Sequence, residues 1–186
     1  MAVPIQKHLW TIEEFERAWE EGAFPPDARL ELIRGEIVEM PPIGGPHINC
    51  VVQLITLLSR LIPRALLSPQ NPLRIKGCQS LPQPDLVLIR PRGGLAEKPP
   101  AAEDVLLVVE VADSSLARDR KEKIPLYAEA GIPEAWLADV NSSTVFVHRH
   151  PSPRGYQDVR AYRRGESVSL EAFPETQFAV TDIFNS

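Results

Sequence analysis

Cysteine is scarce. Cys50 and Cys78 are the only two in 186 residues, too few for a disulfide framework or a cysteine zinc site, and both read as small buried hydrophobes. Long apolar runs are missing too. The longest strand-like stretches, residues 105–109 and 86–89, fall far short of the roughly 20 residues a membrane span needs. Residues 1–6 lack the basic start and apolar middle of a secretory signal, so a cytoplasmic location is expected. His8, His47, His148 and His150 show no H-x-x-x-H spacing, which argues against a histidine-built metallohydrolase. No internal repeat or low-complexity tract stands out. With 44% apolar and 24% charged residues the chain has globular composition, and its length suits one domain over residues 1–186.

The formal net charge of −5 argues against a protein that coats DNA by bulk electrostatics. The acid lies at the front, however, with nine acids against four bases in residues 1–50. Residues 144–164 carry Arg149, Arg154, Arg160, Arg163 and Arg164 against Asp158 alone, a local basic surface on an acidic chain. The 19 prolines, about twice the usual share, cluster between elements and punctuate them.

Thr11 and Glu14 form a capping box that starts a helix carrying Ile12, Phe15 and Trp19, closed by Gly22. Residues 30–40 read as a hairpin around Arg34-Gly35. Residues 48–62 read as a helix whose polar stripe (Asn49, Gln53, Thr56, Arg60) is so narrow that it must be mostly buried on a sheet or a partner. Residues 73–75, 85–89, 105–112, 135–140 and 144–149 read as strands, with 155–162 available to pair with the last. A helical piece precedes Gly131-Ile132-Pro133, and Pro125 inside it demands a restart or a kink there. This order predicts an α/β (α+β) fold, a mixed β-sheet flanked by helices, with an N-terminal helix and hairpin.

Two acids occupy places where acids are expensive. Glu110 interrupts the aliphatic run Val105-Leu106-Leu107-Val108-Val109, and Asp85 follows Pro84 at the head of Leu86-Val87-Leu88-Ile89. An unpaired carboxylate in such a strand costs several kcal/mol, roughly. The connection over residues 90–104 suits a wide hairpin, which would set the two acids face to face at one end of the sheet. Two such acids repel, and one takes a proton unless a cation neutralises them. An oxygen-only ligand pair favours Mg²⁺, with Mn²⁺ next; the bland alternative for each acid is a buried arginine partner. Downstream, Lys123 precedes the proline-restarted helix, where its ammonium can orient a water or contact a phosphate, with Lys121 as fallback.

Gln83-Pro84-Asp85-Leu86-Val87 followed by Val108-Val109-Glu110-Val111 resembles the core of the PD-(D/E)XK nuclease superfamily. The wider layout is similar to the bacterial family of Uma-type putative restriction endonucleases. The matching stretches are Thr11-Ile12-Glu13-Glu14-Phe15, the 30–40 hairpin, His47, the two acidic strands, and Lys123-Ile124-Pro125-Leu126-Tyr127 through Trp136-Leu137-Ala138-Asp139. The resemblance implies a restriction-endonuclease-like core with Asp85 and Glu110 as metal ligands. The superfamily places a lysine two positions after the glutamate, where this chain has Ala112; in branches like this one the lysine has moved to the following helix, where Lys123 stands. Glu31 resembles the additional acid such nucleases bring to the metal, its alternative being a solvent-facing strand residue. His47, opening the buried helix, reads either as a hydrogen-bond partner for a ligand or phosphate or as a plain capping residue. Asp139 reads as a turn former, and Trp136 and Tyr127 as core aromatics.

The expected function is Mg²⁺-dependent hydrolysis of phosphodiester bonds in DNA, with the 149–164 hairpin touching the backbone and a homodimer pairing two sites. The rival is a catalytically inactive nuclease-fold module for DNA or protein binding, favoured by Ala112 and the acidic net charge.

Overall fold

The computed structural model describes residues 7–62, 64–91 and 99–185; residues 1–6, read above for a signal, and part of the 90–104 connection lie outside the described residues. The capping box closes as expected: Thr11 Oγ1 accepts the Glu14 N–H at 3.1 Å and the Glu14 carboxylate accepts the Thr11 N–H at 2.8 Å, starting α1 (Ile12–Glu20). β1 (Leu30–Ile33) and β2 (Glu36–Glu39) pair antiparallel across Arg34 and Gly35, both at positive φ (51° and 78°), the two-residue turn whose twist matches its strands.

The main sheet has six strands in the order β3 (Leu66–Pro69), β4 (Leu86–Ile89), β5 (Val105–Ala112), β6 (Glu134–Asp139), β7 (Thr144–Ser152) and β8 (Gly155–Arg163). Every neighbouring pair is antiparallel except β5 and β6. That parallel step requires a crossover, which α3 (Leu116–Lys121) and α4 (Lys123–Glu129) supply. The helical path breaks at Glu122 (φ −112°, ψ −59°), and Pro125 falls in the first turn of α4, where its missing N–H costs nothing. The opposite face carries α2 (Gly45–Leu58), a hairpin of β9 (Ser167–Leu170) and β10 (Phe173–Ala179), and the short α5 (Val180–Ile183).

Period two then sorts the side chains. Leu86, Leu88, Leu107, Val109 and Val111 pack toward α2, whereas Val87, Ile89, Val108 and Ala112 pack toward α4. Glu110 alternates with Val109 and Val111, so it points at α4, and Asp85 shares the parity of Val87 and Ile89. The mixed sheet between helices, with its N-terminal helix and hairpin, is the architecture expected. Among the described residues no helix is long and apolar enough to cross a membrane.

Three expectations need correction. Residues 73–75 form isolated bridges, Arg74 to Ala101 and Ile75 to Ser80, and no strand. The strand lies earlier, at β3, inside a stretch read as a proline breaker; as a sheet edge it needs no N–H from Pro69 on its outer side. The long helix is buried on one face only. Cys50, Val51, Leu54, Leu57 and Leu58 line the core, while Ile48 and Val52 stand about half exposed, at 50% and 51%. The β9–β10 hairpin went unread because β9 is short and Pro174 and a register shift break the alternation of β10, yet Val168, Leu170, Phe173 and Phe178 cap the α2-side core.

Candidate active site

The antiparallel register pairs Leu86 with Val109, which carries Asp85 opposite Glu110 at the end of β4 and β5. Asp85 is locked there: its Oδ2 accepts the Val111 N–H at 2.8 Å, and His47 Nε2, from the first turn of α2, lies 3.1 Å from the carboxylate. Glu110, 3% exposed, accepts from Tyr127 Oη at 2.5 Å and from Lys123 Nζ at 3.3 Å. Glu31 on β1 is 1% exposed, and its Oε1 accepts from Lys123 Nζ and from the Gln83 N–H, each at 2.9 Å. Lys123 therefore bridges the hairpin acid to the sheet acid. The solvent-facing alternative for Glu31 and the buried-arginine partner for Glu110 are both excluded by these contacts. Asp85, Glu110, Glu31, Lys123 and His47 all line one cleft of about 200 Å³.

Two further side chains belong to this cluster. Asp119 on α3, in a run that reads as a solvated helix face, is 2% exposed; its Oδ2 accepts from Ser115 Oγ at 2.5 Å. Tyr127 is a core aromatic as expected, but its hydroxyl serves Glu110. A sequence signal existed for both: Ser115, Asp119, Lys123 and Tyr127 recur every four residues through an otherwise charged stretch. Lys121 is exposed. Asp139 forms the expected turn, its carboxylate accepting from the Asn141 N–H and Ser142 Oγ.

The electrostatics are those of an acidic well around one fixed cation. Glu31, Asp85, Glu110, Asp113 and Asp119 all line the cleft, with Lys123 and Arg29 as its only Lys or Arg residues among the described ones. Burial pushes the Glu110 pKa well up; Lys123 opposes this, and Asp85, Asp119 and Glu31 add to it. Burial also raises Asp119, against its Ser115 hydrogen bond and the Lys123 charge. For Lys123, burial works against the charge, but Glu110, Glu31 and Asp119 outweigh it and hold the ammonium above the ordinary lysine range. Among the described residues, no three His, Cys, Asp or Glu side chains converge into a ready-made metal cage. The oxygen donors nonetheless suit a hard cation: Glu31 Oε2 and Asp119 Oδ1 are buried without a hydrogen-bond partner. Mg²⁺ is usually held by one or two carboxylates, with water and phosphate oxygens completing its shell.

The basic hairpin is less free than its sequence suggests. Arg149 is bound to the buried Glu134 at 2.9 Å and to the Ser169 carbonyl, Arg164 donates to the Phe184 carbonyl, and Arg160 pairs with Asp158. The sheet register runs Ala112–Asp139–Thr144–Arg163, so Arg163 lies on the row of Ala112, two residues beyond Glu110, and by parity on the same face as Glu110. Arg120 stacks over Phe146, on the Glu110 row, at 4.5 Å.

The whole chain resembles a crystal structure described as a putative nuclease belonging to DUF820 from Anabaena variabilis. The TM-score is 0.76 at 21% identity, covering 97% of this chain and 98% of that one, a likeness of fold. No curated protein matches. A family model, Uma2, described as "Putative restriction endonuclease", matches residues 12–181. A match of that extent, over a fold whose strand ends and crossover helix gather the expected acids and lysine, means that the chain belongs to the Uma2 family.

Proposed function

We propose that the protein is a metal-dependent endonuclease that hydrolyses phosphodiester bonds in DNA. The observation that carries this reading is the opposed Asp85–Glu110 pair, buried at adjacent strand ends with Lys123 held against Glu110. Asp85 and Glu110, with Glu31 beside them, would hold Mg²⁺ or Mn²⁺. A cation there supplies charge neutralisation at the scissile phosphate and a more acidic water. The chain's own residues supply position. The Val111 N–H and His47 fix the Asp85 carboxylate; Tyr127 and Lys123 fix Glu110 from the opposite side. Lys123, bound to Glu31 and Glu110, sets their spacing and adds positive potential where phosphate charge develops. Arg163 and Arg120 would meet the DNA backbone, with Arg163 roughly 16 Å from Glu110 and about 20 Å from Asp85 by strand spacing. The apolar outer face of α2, with Ile48 and Val52, offers a surface for a second copy.

Nicking of supercoiled plasmid tests the reading. Cleavage is expected with Mg²⁺ or Mn²⁺, none with EDTA, and none in Asp85→Ala at any metal concentration. Equal cleavage by wild type and Asp85→Ala would refute it. A second reading has its own observation: Ala112 replaces the usual lysine, and Lys123 is occupied by two carboxylates. On that reading the chain binds DNA or protein without cutting, and wild type retards DNA on a gel while leaving it intact.

A further inference from the structure

Asp119 has no task in the mechanism above, yet its placement is demanding. The side chain is 2% exposed, Ser115 Oγ holds its Oδ2, and its own N–H donates to the Ser115 carbonyl at 2.9 Å. These bonds fix the rotamer and leave Oδ1, buried in the same cleft as Asp85 and Glu110, with no hydrogen-bond partner among the described residues. Glu31 Oε2 is buried without a hydrogen bond as well, but it has an ion-pair partner in Arg118 Nη2 at 3.9 Å, so among the described residues Asp119 Oδ1 is the oxygen left without either. A helix-capping role would account for Oδ2 alone. It leaves unexplained why a carboxylate lining an acidic cleft keeps a second, buried oxygen without a hydrogen-bond partner.

We infer that Asp119 is a further residue of the cation site, accepting through Oδ1 from the water shell of a divalent ion held by Asp85 and Glu110; the inference rests on the metal-dependent reading above. The contact runs through water because no three of these side chains converge at direct ligating distance. Mg²⁺ and its relatives give up their waters reluctantly, and such a water is the donor that Asp119 Oδ1 lacks.

Mn²⁺ titration of the full chain by calorimetry tests this, with thermal melts in EDTA alongside. Asp119→Asn is expected to weaken Mn²⁺ binding about 10- to 100-fold, the usual effect of losing a partner beyond the direct ligands. Its metal-free melting temperature is expected to match or exceed wild type, since a buried charge without a full set of donors is removed. Ser115→Ala should weaken binding in the same direction by releasing the rotamer. Unchanged Mn²⁺ affinity in Asp119→Asn, beside lost affinity in Asp85→Asn, would overturn the inference and leave the metal-dependent reading standing. A wild-type protein that binds no Mn²⁺ at millimolar concentration would overturn both.

Discussion

Glu110 shows how one residue can weaken a fold while equipping it. The unfolded chain releases this proton near the ordinary glutamate value of 4.5, whereas the folded protein retains it to higher pH because burial and the neighbouring acids oppose ionisation. The unfolded state therefore binds fewer protons above that value, and metal-free stability falls as pH rises from there. Glu110→Gln removes that decline. Urea midpoints in EDTA at pH 5 and pH 8 check it: the variant gains on wild type between the two, and a constant difference would refute the assignment. The same scale explains Ala112. Its side chain is fully buried on the Glu110 face, packed with Val108 and Tyr127, and the ammonium arrives from α4 instead. The acids of β4 and β5 were legible because carboxylates interrupt aliphatic runs. Asp119 was missed, because its four-residue spacing with Ser115, Lys123 and Tyr127 is masked by a run of charged residues.

At the level of elements, the site depends on a hairpin, two strand ends and a broken helix meeting. β1 delivers Glu31, and its turn tolerates little. Gly35 sits at φ +78°, and an added Cβ would fall 2.8 Å from Leu9 Cβ. Gly35→Ala is expected to destabilise by about 1–2 kcal/mol from the left-handed backbone alone, with further loss from the Leu9 contact; chemical denaturation measures it, and a neutral result would refute the turn assignment. The break between α3 and α4 directs Asp119 and Lys123 into one cleft from two short helices. Pro125 made that break legible. The β3 strand and the β9–β10 hairpin were not, since β3 and β9 are four-residue strands amid proline or serine and the register of β10 shifts between Phe173 and Gln177, so little period-two signal remains and tertiary packing makes them strands.

Over the whole molecule, the charge pattern divides labour. Acids dominate the N-terminal layer and the cleft, while the far strands carry arginine. Several of those arginines are structural: Arg149 ties β7 to Glu134, which also receives the Trp136 Nε1–H and the Glu171 N–H, so this buried carboxylate joins the sheet to the β9–β10 hairpin. Arg163 is exposed on the row of Ala112 and on the Glu110 face. On the nuclease reading, Arg163→Ala weakens DNA binding similarly for unrelated sequences and lowers the slope of log affinity against log salt by about 1; an unchanged slope in fluorescence anisotropy titrations would remove it from the DNA surface. The sequence by itself determined most of the elements, the α/β architecture and the two strand acids, because periodicity, caps and misplaced charges are local properties of a chain. The tertiary structure alone decided that Lys123 bridges Glu31 across 92 residues, that Tyr127 serves Glu110, that Asp119 turns inward, and that Arg149 is spent on Glu134. Those are contacts between distant segments, and their geometry exists only once the crossover helices have packed on the sheet.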